Sequence, residues 1–256
     1  MAESAIVLDR DGDLAVLRLD RPGAKNSLRL DDIRLLRDLL ERVAASDARC
    51  LLLRGTGDAF CAGRDLKETD PERDDTRAIL AELINPVLLQ LDGLPIPSLA
   101  LVRGPALGLG LGLALACDIT LVAENALLGS PFRAIGCVLD SGGHHFLERR
   151  LGRHKAAELI FTGRLLSGRE AAALGLVNRA VAALDLDAEG LRLAREIAAG
   201  PTAAFRASKQ ILGEDRGLPE VLDLEARYQA EALASRDGRE GIRAFQEKRK
   251  PRFVGG

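Results

Sequence analysis

Apolar and polar positions alternate with two different periods along this chain, and the change of period divides it into elements. AIVLD and LAVLRLD flank the polar RDGD, and Asp11-Gly12 favours a tight turn, so residues 5–20 read as two antiparallel strands. In RLDDIRLLRDLLERVAAS, Ile33, Leu36, Leu40 and Val43 recur at helical spacing. Asp31 and Asp32 lie in the first turn of that helix, where its dipole favours negative charge. CLLLRG, PSLALVRG and DITLVAE are short apolar runs without alternation, the pattern of strands buried on both faces. Between them, Thr76 to Leu91 and Gly110 to Ala116 read as helices. Strand, helix, strand in this order predicts an α/β core with parallel pairing.

From about Leu147 the chain turns mostly helical: HKAAELIFTG, SGREAAALGL, Leu186 to Ala199, and LPEVLDLEARYQAEALAS. The last helix is expected to open on Asp237 and Glu240 in a D-x-x-E capping pattern. It runs toward a basic end, Lys248, Arg249, Lys250 and Arg252. No fixed-period repeat and no low-complexity linker interrupts the pattern.

Composition narrows the function classes. With 256 residues and 47% hydrophobic content, the chain suits one large domain or a domain with a helical appendage. Lys and Arg number 36 against 38 Asp and Glu, so no general positive field exists to hold nucleic acid. No window of about 18 uncharged apolar residues predicts a membrane span. MAESAIVLDR lacks the basic and apolar succession of a secretory signal, so the expected location is the cytoplasm. Cys50, Cys61, Cys117 and Cys137 sit in apolar runs without C-x-x-C pairs or histidines at ligand spacing. They read as buried, reduced thiols, with neither a zinc site nor a disulfide expected.

Two glycine-bearing loops follow strands, TGDAFCAGRDLKE at 56–68 and RGPALGLGLGLALACD at 103–118. Glycine admits close backbone approach, and a loop that opens a helix presents free N–H groups at the positive end of a dipole. Two such loops offering one N–H each to the same oxygen would form an oxyanion hole. Equally, Gly108, Gly110 and Gly112 would let a helix pack tightly on a sheet. The spacing fits neither G-x-G-x-x-G nor a P-loop, and Ser130 and Ser141 lie on no G-x-S-x-G elbow. In AIGCVLDSGGHH a single acid, Asp140, ends an apolar run. It reads either as an acid/base group, its pKa raised by Phe132, Val138 and Leu139, or as the cap of a helix starting near Ser141. His144, one helical turn on, could orient it, although a helix histidine is more often half-buried or at a contact; His154 reads as solvent-facing.

FCAGRDLKE, RGPALGLGLGLALACDI, IGCVLDSGG and the ending EGIRAFQEKRKPRF together resemble the crotonase superfamily, the enoyl-CoA hydratase/isomerase family, from RPGAKNSL to Phe253. The resemblance implies an α/β fold: a spiral of ββα units over residues 1–195, then a helical trimerisation region over 196–256. The assembly it implies is a homotrimer, or a hexamer as a dimer of trimers. It implies no prosthetic group, with coenzyme A entering as part of an acyl-CoA substrate. The backbone N–H groups of Arg64 and Leu109 match the family's oxyanion hole. The Ala62 to Leu66 segment, including Asp65, matches the part that holds the adenine end of coenzyme A. Lys25 and the terminal KRKPR are placed to meet its phosphates, although such a basic run is also an ordinary solvated tail.

One departure from the family bears on chemistry. Where its hydratases resemble one another in carrying two glutamates, this chain has Gly112 and Phe132. Asp140 instead matches the aspartate used by dienoyl-CoA isomerases, 4-chlorobenzoyl-CoA dehalogenase and, closest in pattern, ring 1,2-epoxyphenylacetyl-CoA isomerases. The resemblance therefore implies an acyl-CoA isomerase with Asp140 as acid/base. A hydratase with an atypical site and a non-catalytic acyl-CoA-binding protein are the alternatives. The charged segment 69–78 reads as a flap, and Phe132, Leu83 and Val87 as pocket walls.

Overall fold

A computed structural model describes residues 5–213 and 216–256; residues 1–4, the start of the segment read for a signal, lie outside them. Strands β1 (Ile6–Asp11) and β2 (Leu14–Leu19) form the expected antiparallel hairpin, Asp11 pairing with Leu14 across Gly12 and Asp13. The strands that follow are β3 (Cys50–Gly55), β4 (Ser98–Val102), β5 (Pro105–Leu107), β6 (Ile119–Ala123), β7 (Leu127–Gly129), β8 (Leu166–Ser167) and β9 (Arg179–Val181). One sheet has the order β1-β2-β3-β4-β6-β9, parallel from β2 onward. β3 and β4 are continuous apolar runs because both faces of this sheet are covered. A second, smaller sheet has the order β5-β7-β8; its individual strands were not read from the sequence, since strands of two and three residues carry no readable period.

Helix α1 (Leu30–Ala44) buries Ile33, Leu36, Leu40 and Val43 as their spacing predicts. The single helix expected from Thr76 is in fact α2 (Thr76–Ala78), a π-helical stretch Ile79–Ile84, and α3 (Asn85–Asp92). Pro86 accounts for the widened turn: it has no N–H for an i−4 carbonyl, and the Asn85 N–H reaches back five residues to Leu80 O. Leu83 and Val87, read as candidate pocket walls, are buried in the core. Helix α4 (Leu109–Ala116) is buried over its whole length and packs against β4, β6 and α3.

The later helices are α5 (Gly143–Leu151), α6 (Arg153–Thr162), α7 (Gly168–Ala173), α8 (Leu186–Ala198), α9 (Thr202–Leu212), α10 (Leu218–Ala234) and α11 (Arg236–Gln246). α8 packs on β2, β3, β4 and β6. α10 buries none of its residues, and Leu218, Leu222, Ile242 and Phe245 of α10 and α11 stand exposed. The D-x-x-E cap expected for α11 is not used: Ser235 Oγ accepts from Gly238 N–H instead. Asp237 is buried and accepts from the N–H groups of Val254 and Gly255 at 2.8 Å each, and Glu240 pairs with Arg249. Arg49 donates to the carbonyls of Gly200 and Phe253, so the end of the chain is clasped to the core. Among the described residues no helix is long and apolar enough to cross a membrane.

Candidate active site

The site forms where the loop after β3 runs beside the loop that opens α4. Cys61 bridges Ala106 of β5, its N–H donating to Pro105 O at 3.0 Å and its carbonyl accepting from Leu107 N–H at 3.0 Å. One step on, Leu28 N–H donates to Gly63 O at 2.9 Å and Asp65 N–H to Leu28 O at 2.8 Å. In such a parallel bridge the residue between the two bonds, Arg64, directs its own N–H away from Leu28. Gly108 precedes α4 at φ +53°, ψ −117°, a conformation that favours glycine, and frees the N–H groups of the first turn. A Cβ added at Gly63 would lie 3.6 Å from the Leu109 nitrogen, so the two loops meet there. The structure thus brings the backbones of Arg64 and Leu109 together, at the positive end of a buried helix.

Asp140 reaches the same helix one turn later. Gly112 of α4 lies against the Ser141 backbone, where a Cβ would be 2.9 Å from that of Ser141. Asp140 is half-buried and its Oδ1 accepts from Ser141 Oγ at 2.7 Å. Burial pushes its carboxyl above the usual range, against the smaller pulls of the Ser141 hydroxyl and the Arg64 charge. Buried Leu139 contributes to that environment, but Val138 does not: it is 76% exposed, because residues 133–138 face outward. Asp140 is not a helix cap. Its carbonyl accepts from Gly143 N–H at 2.9 Å, and the N-cap of α5 is Gly142, with no side-chain bond. Its neighbour Ser141 holds φ +54°, a left-handed position that turns the chain back along α4.

The positions of the family's two hydratase glutamates are filled in ways that leave no second acid. Gly112 has no room for a side chain, and Phe132 is half-buried with its ring 3.2 Å from where a Gly108 Cβ would stand. His144 and His145 are exposed, and so is His154. Cys50, Cys61 and Cys117 are buried, their thiols pushed up to about 12 by burial. Cys137 is exposed, contrary to expectation, because it lies on the outward turn.

The remaining sequence candidates surround the first loop. Lys25 is exposed and its carbonyl accepts from Ala62 N–H at 2.9 Å, tying the RPGAKNSL turn to the loop at 62–66. Leu66 is 54% exposed at the rim. Asp65 faces inward: its carboxylate takes Arg21 Nη1 at 2.7 Å and Lys67 N–H at 3.2 Å, and the Arg21 bond holds its carboxyl below the usual range. Sequence reasoning missed Arg21, Asn26 and Asp74. Asn26 is fully buried, accepts from Arg21 N–H and donates to the carbonyls of Thr56 and Ala59. The signal available for it was an asparagine in a Pro-Gly turn, a residue that tolerates the left-handed φ of +54° found there. Asp74 pairs with Arg64 at 3.1 Å, so the charged segment 69–78 is folded onto the site by one ion pair.

A sequence model of the family described as enoyl-CoA hydratase/isomerase matches residues 9–256. The chain is 39% identical over 244 residues to a probable enoyl-CoA hydratase of Rhodobacter capsulatus, covering 94% of this chain and 95% of that one. It is 37% identical over 246 residues to the 1,2-epoxyphenylacetyl-CoA isomerase of Escherichia coli, covering 93% and 94%. Among solved structures, the enoyl-CoA hydratase of Bacillus anthracis superposes with a TM-score of 0.92 at 32% identity, covering 98% of this chain and all of that one.

Proposed function

The chain belongs to the enoyl-CoA hydratase/isomerase family and has the crotonase fold, and on that footing we propose that it is an acyl-CoA isomerase using Asp140 as its single acid/base group. The thioester carbonyl oxygen accepts from the N–H groups of Arg64 and Leu109, whose loops meet at the start of α4. Asp140 removes a proton from the carbon beside the carbonyl, and the electron pair moves into the carbonyl to give an enolate held by the two N–H groups. Asp140, now a carboxylic acid, returns the proton two carbons further along, and the double bond moves into conjugation. Its raised pKa brings the carboxylate nearer the strength that abstraction from carbon requires.

The observation that carries this reading is that neither position matching a hydratase glutamate, Gly112 or Phe132, carries an acid. Water addition needs a held water and a proton delivered to carbon, work suited to two carboxylates. Around Asp140 the two places for such a partner are a glycine pressed on backbone and a phenylalanine ring. The likeness to 1,2-epoxyphenylacetyl-CoA isomerase supports the same assignment and extends it to ring-epoxide thioesters, which also rearrange beside an activated carbonyl. The second reading, a hydratase with an atypical site, is favoured by the name of the Rhodobacter capsulatus relative.

We assign the coenzyme A moiety to the rim of Lys25, Ala62 and Leu66, with Asp65 fixing that loop from inside. The basic end of the chain is the further phosphate contact. We assign residues 1–195 to the core and 196–256 to assembly of a trimer or a dimer of trimers in the cytoplasm. The exposed apolar side chains of α10 and α11 support that assignment. No prosthetic group enters the scheme.

The experiment is deuterium uptake into 3-hexenoyl-CoA in heavy water, read by mass spectrometry beside the double-bond shift, for wild type and Asp140→Asn. Uptake and shift lost together in the variant are expected. Uptake in neither protein, with the thioester still bound, would replace the isomerase by a binding protein. Hydration of crotonyl-CoA by the wild type would favour the second reading.

A further inference from the structure

Arg64 offers its backbone N–H to the thioester, while its guanidinium reaches in a different direction. Arg64 Nη2 lies 3.1 Å from Asp74 Oδ2, and the two side chains are 15% and 23% exposed. The same Asp74 oxygen accepts from Asp70 N–H, and Asp74 N–H donates to Asp70 O at 2.8 Å, so the acidic turn 70–75 folds around this one contact. Of the other acids in the turn, Asp70 pairs with Arg73, Glu72 is exposed, and Asp75 caps the helix that follows, accepting from Ala78 N–H. Asp74 is the acid aimed at the site.

The Arg64 backbone also lies near that of Asp140. Gly63 sits beside the Leu109 nitrogen and Ser141 beside Gly112, three residues on along α4. Arg64 and Asp140, each next in chain to one of those contacts, are therefore about one helical turn apart in register, roughly 5 Å along the axis. We propose that the Arg64 guanidinium is shared between Asp74 and Asp140, making Arg64 a positioning residue through which the acidic turn 70–75 tunes the Asp140 base. This rests on the reading of Asp140 as the proton carrier.

The surroundings leave few rivals for the role. Among the described residues Asp140 bonds to the Ser141 hydroxyl and feels the Arg64 charge, with Cys137, His144 and His145 exposed nearby in the chain. Around Arg64, a cavity of about 370 Å³ is lined also by Arg29, Asp31, Arg34 and Asp65. Asp31 is taken by Arg34 at 2.6 Å and Asp65 by Arg21 at 2.7 Å, while Arg29 holds Asp32. Among the described residues Asp74 is thus the acid that divides the Arg64 charge. A full guanidinium charge favours the ionised carboxylate, and Asp74 dilutes that effect. The two substitutions consequently act on Asp140 with opposite sign.

The test is the pH profile of deuterium uptake into 3-hexenoyl-CoA, whose acidic limb in kcat/KM reports the base of the free enzyme. Arg64→Met moves that limb to higher pH by on the order of one unit, and Asp74→Asn moves it to lower pH by a smaller step. Arg64→Lys keeps the charge and returns the limb toward wild type. In the Arg64→Met background, Asp74→Asn produces little further movement, because its effect acts through Arg64. Limbs that stay in place, or that move the same way in both single variants, overturn the proposal; where Arg64→Met does not fold, Arg64→Gln replaces it in the single and the double variant. Uptake that survives Asp140→Asn overturns the underlying reading and this inference with it, whereas uptake lost in Asp140→Asn with unmoved limbs overturns this inference alone.

Discussion

Gly112 of α4 lies flush against Ser141, so that a Cβ there would stand 2.9 Å from the Ser141 Cβ and closer still to its carbonyl oxygen. Backbone occupies the space that a side chain at position 112 would need. The contact also fixes where Asp140, the preceding residue, enters the site. Absence of an acid at 112 and presence of one at 140 are two sides of a single packing arrangement.

Substitution at this contact is therefore expected to disturb fold and base together. Gly112→Ala gains about 1 kcal/mol of helix propensity but forces backbone apart, for a net loss of about 1–3 kcal/mol in thermal melts. Gly112→Glu is expected to displace Ser141 and Asp140, to lose deuterium uptake, and to gain no hydration of crotonyl-CoA. A Glu variant that melts like wild type and hydrates crotonyl-CoA would show that the loop yields without loss.

Much of the architecture was legible because it rests on local periodicity. Ile33, Leu36, Leu40 and Val43 announce α1, and Asp11-Gly12 announces the hairpin, since both signals lie within a few residues of the structure they cause. Asp140 drew notice as an acid ending an apolar run, while its proposed role as acid/base came from the family resemblance and not from that pattern. What stayed hidden is pairing between distant residues: Arg21 with Asp65, Arg64 with Asp74, Arg49 with the Phe253 carbonyl. These partners are separated by 44, 10 and 204 residues, and nothing in either residue's own surroundings names the other. Val138 misled for a related reason. Apolar neighbours in sequence become neighbours in space only where the turn folds inward, and residues 133–138 fold outward.

The Arg21–Asp65 pair is expected to hold the loop at 62–66, the proposed oxyanion loop, in place. The Asp65 side chain is 8% exposed, and its loss leaves Arg21 without its carboxylate while loosening the loop that carries the Arg64 N–H. Asp65→Asn is expected to lose about 1–3 kcal/mol of stability at neutral pH and to raise KM for acyl-CoA thioesters. Arg21 holds the Asp65 carboxyl below its ordinary range, so the pair's stabilisation is present above that range. It disappears as pH falls through the lowered value. Acid denaturation of wild type and variant should therefore converge at low pH; curves separated by a constant gap would assign the loss to packing instead.

Asp140 is expected to weaken the fold it serves. Burial makes its carboxyl hold a proton more tightly in the folded chain than in the unfolded one, so between the ordinary and the raised value the folded state binds more protons. Stability falls as pH rises through that window, and the whole penalty is present above it. Asn has the same shape, carries no charge, and keeps an oxygen to accept from Ser141 Oγ. Asp140→Asn should consequently melt higher than wild type at pH 7, each kcal/mol of relief raising Tm by about 2–4 °C in a protein of this size. The difference should close as pH falls below about 3.9, where both folded and unfolded carboxyls are protonated. A variant that melts lower at pH 7 would mean that Ser141 and Arg64 stabilise the carboxylate by more than burial opposes it. Higher stability together with lost proton exchange is the combination expected where a charge is kept in an unfavourable place for its chemistry.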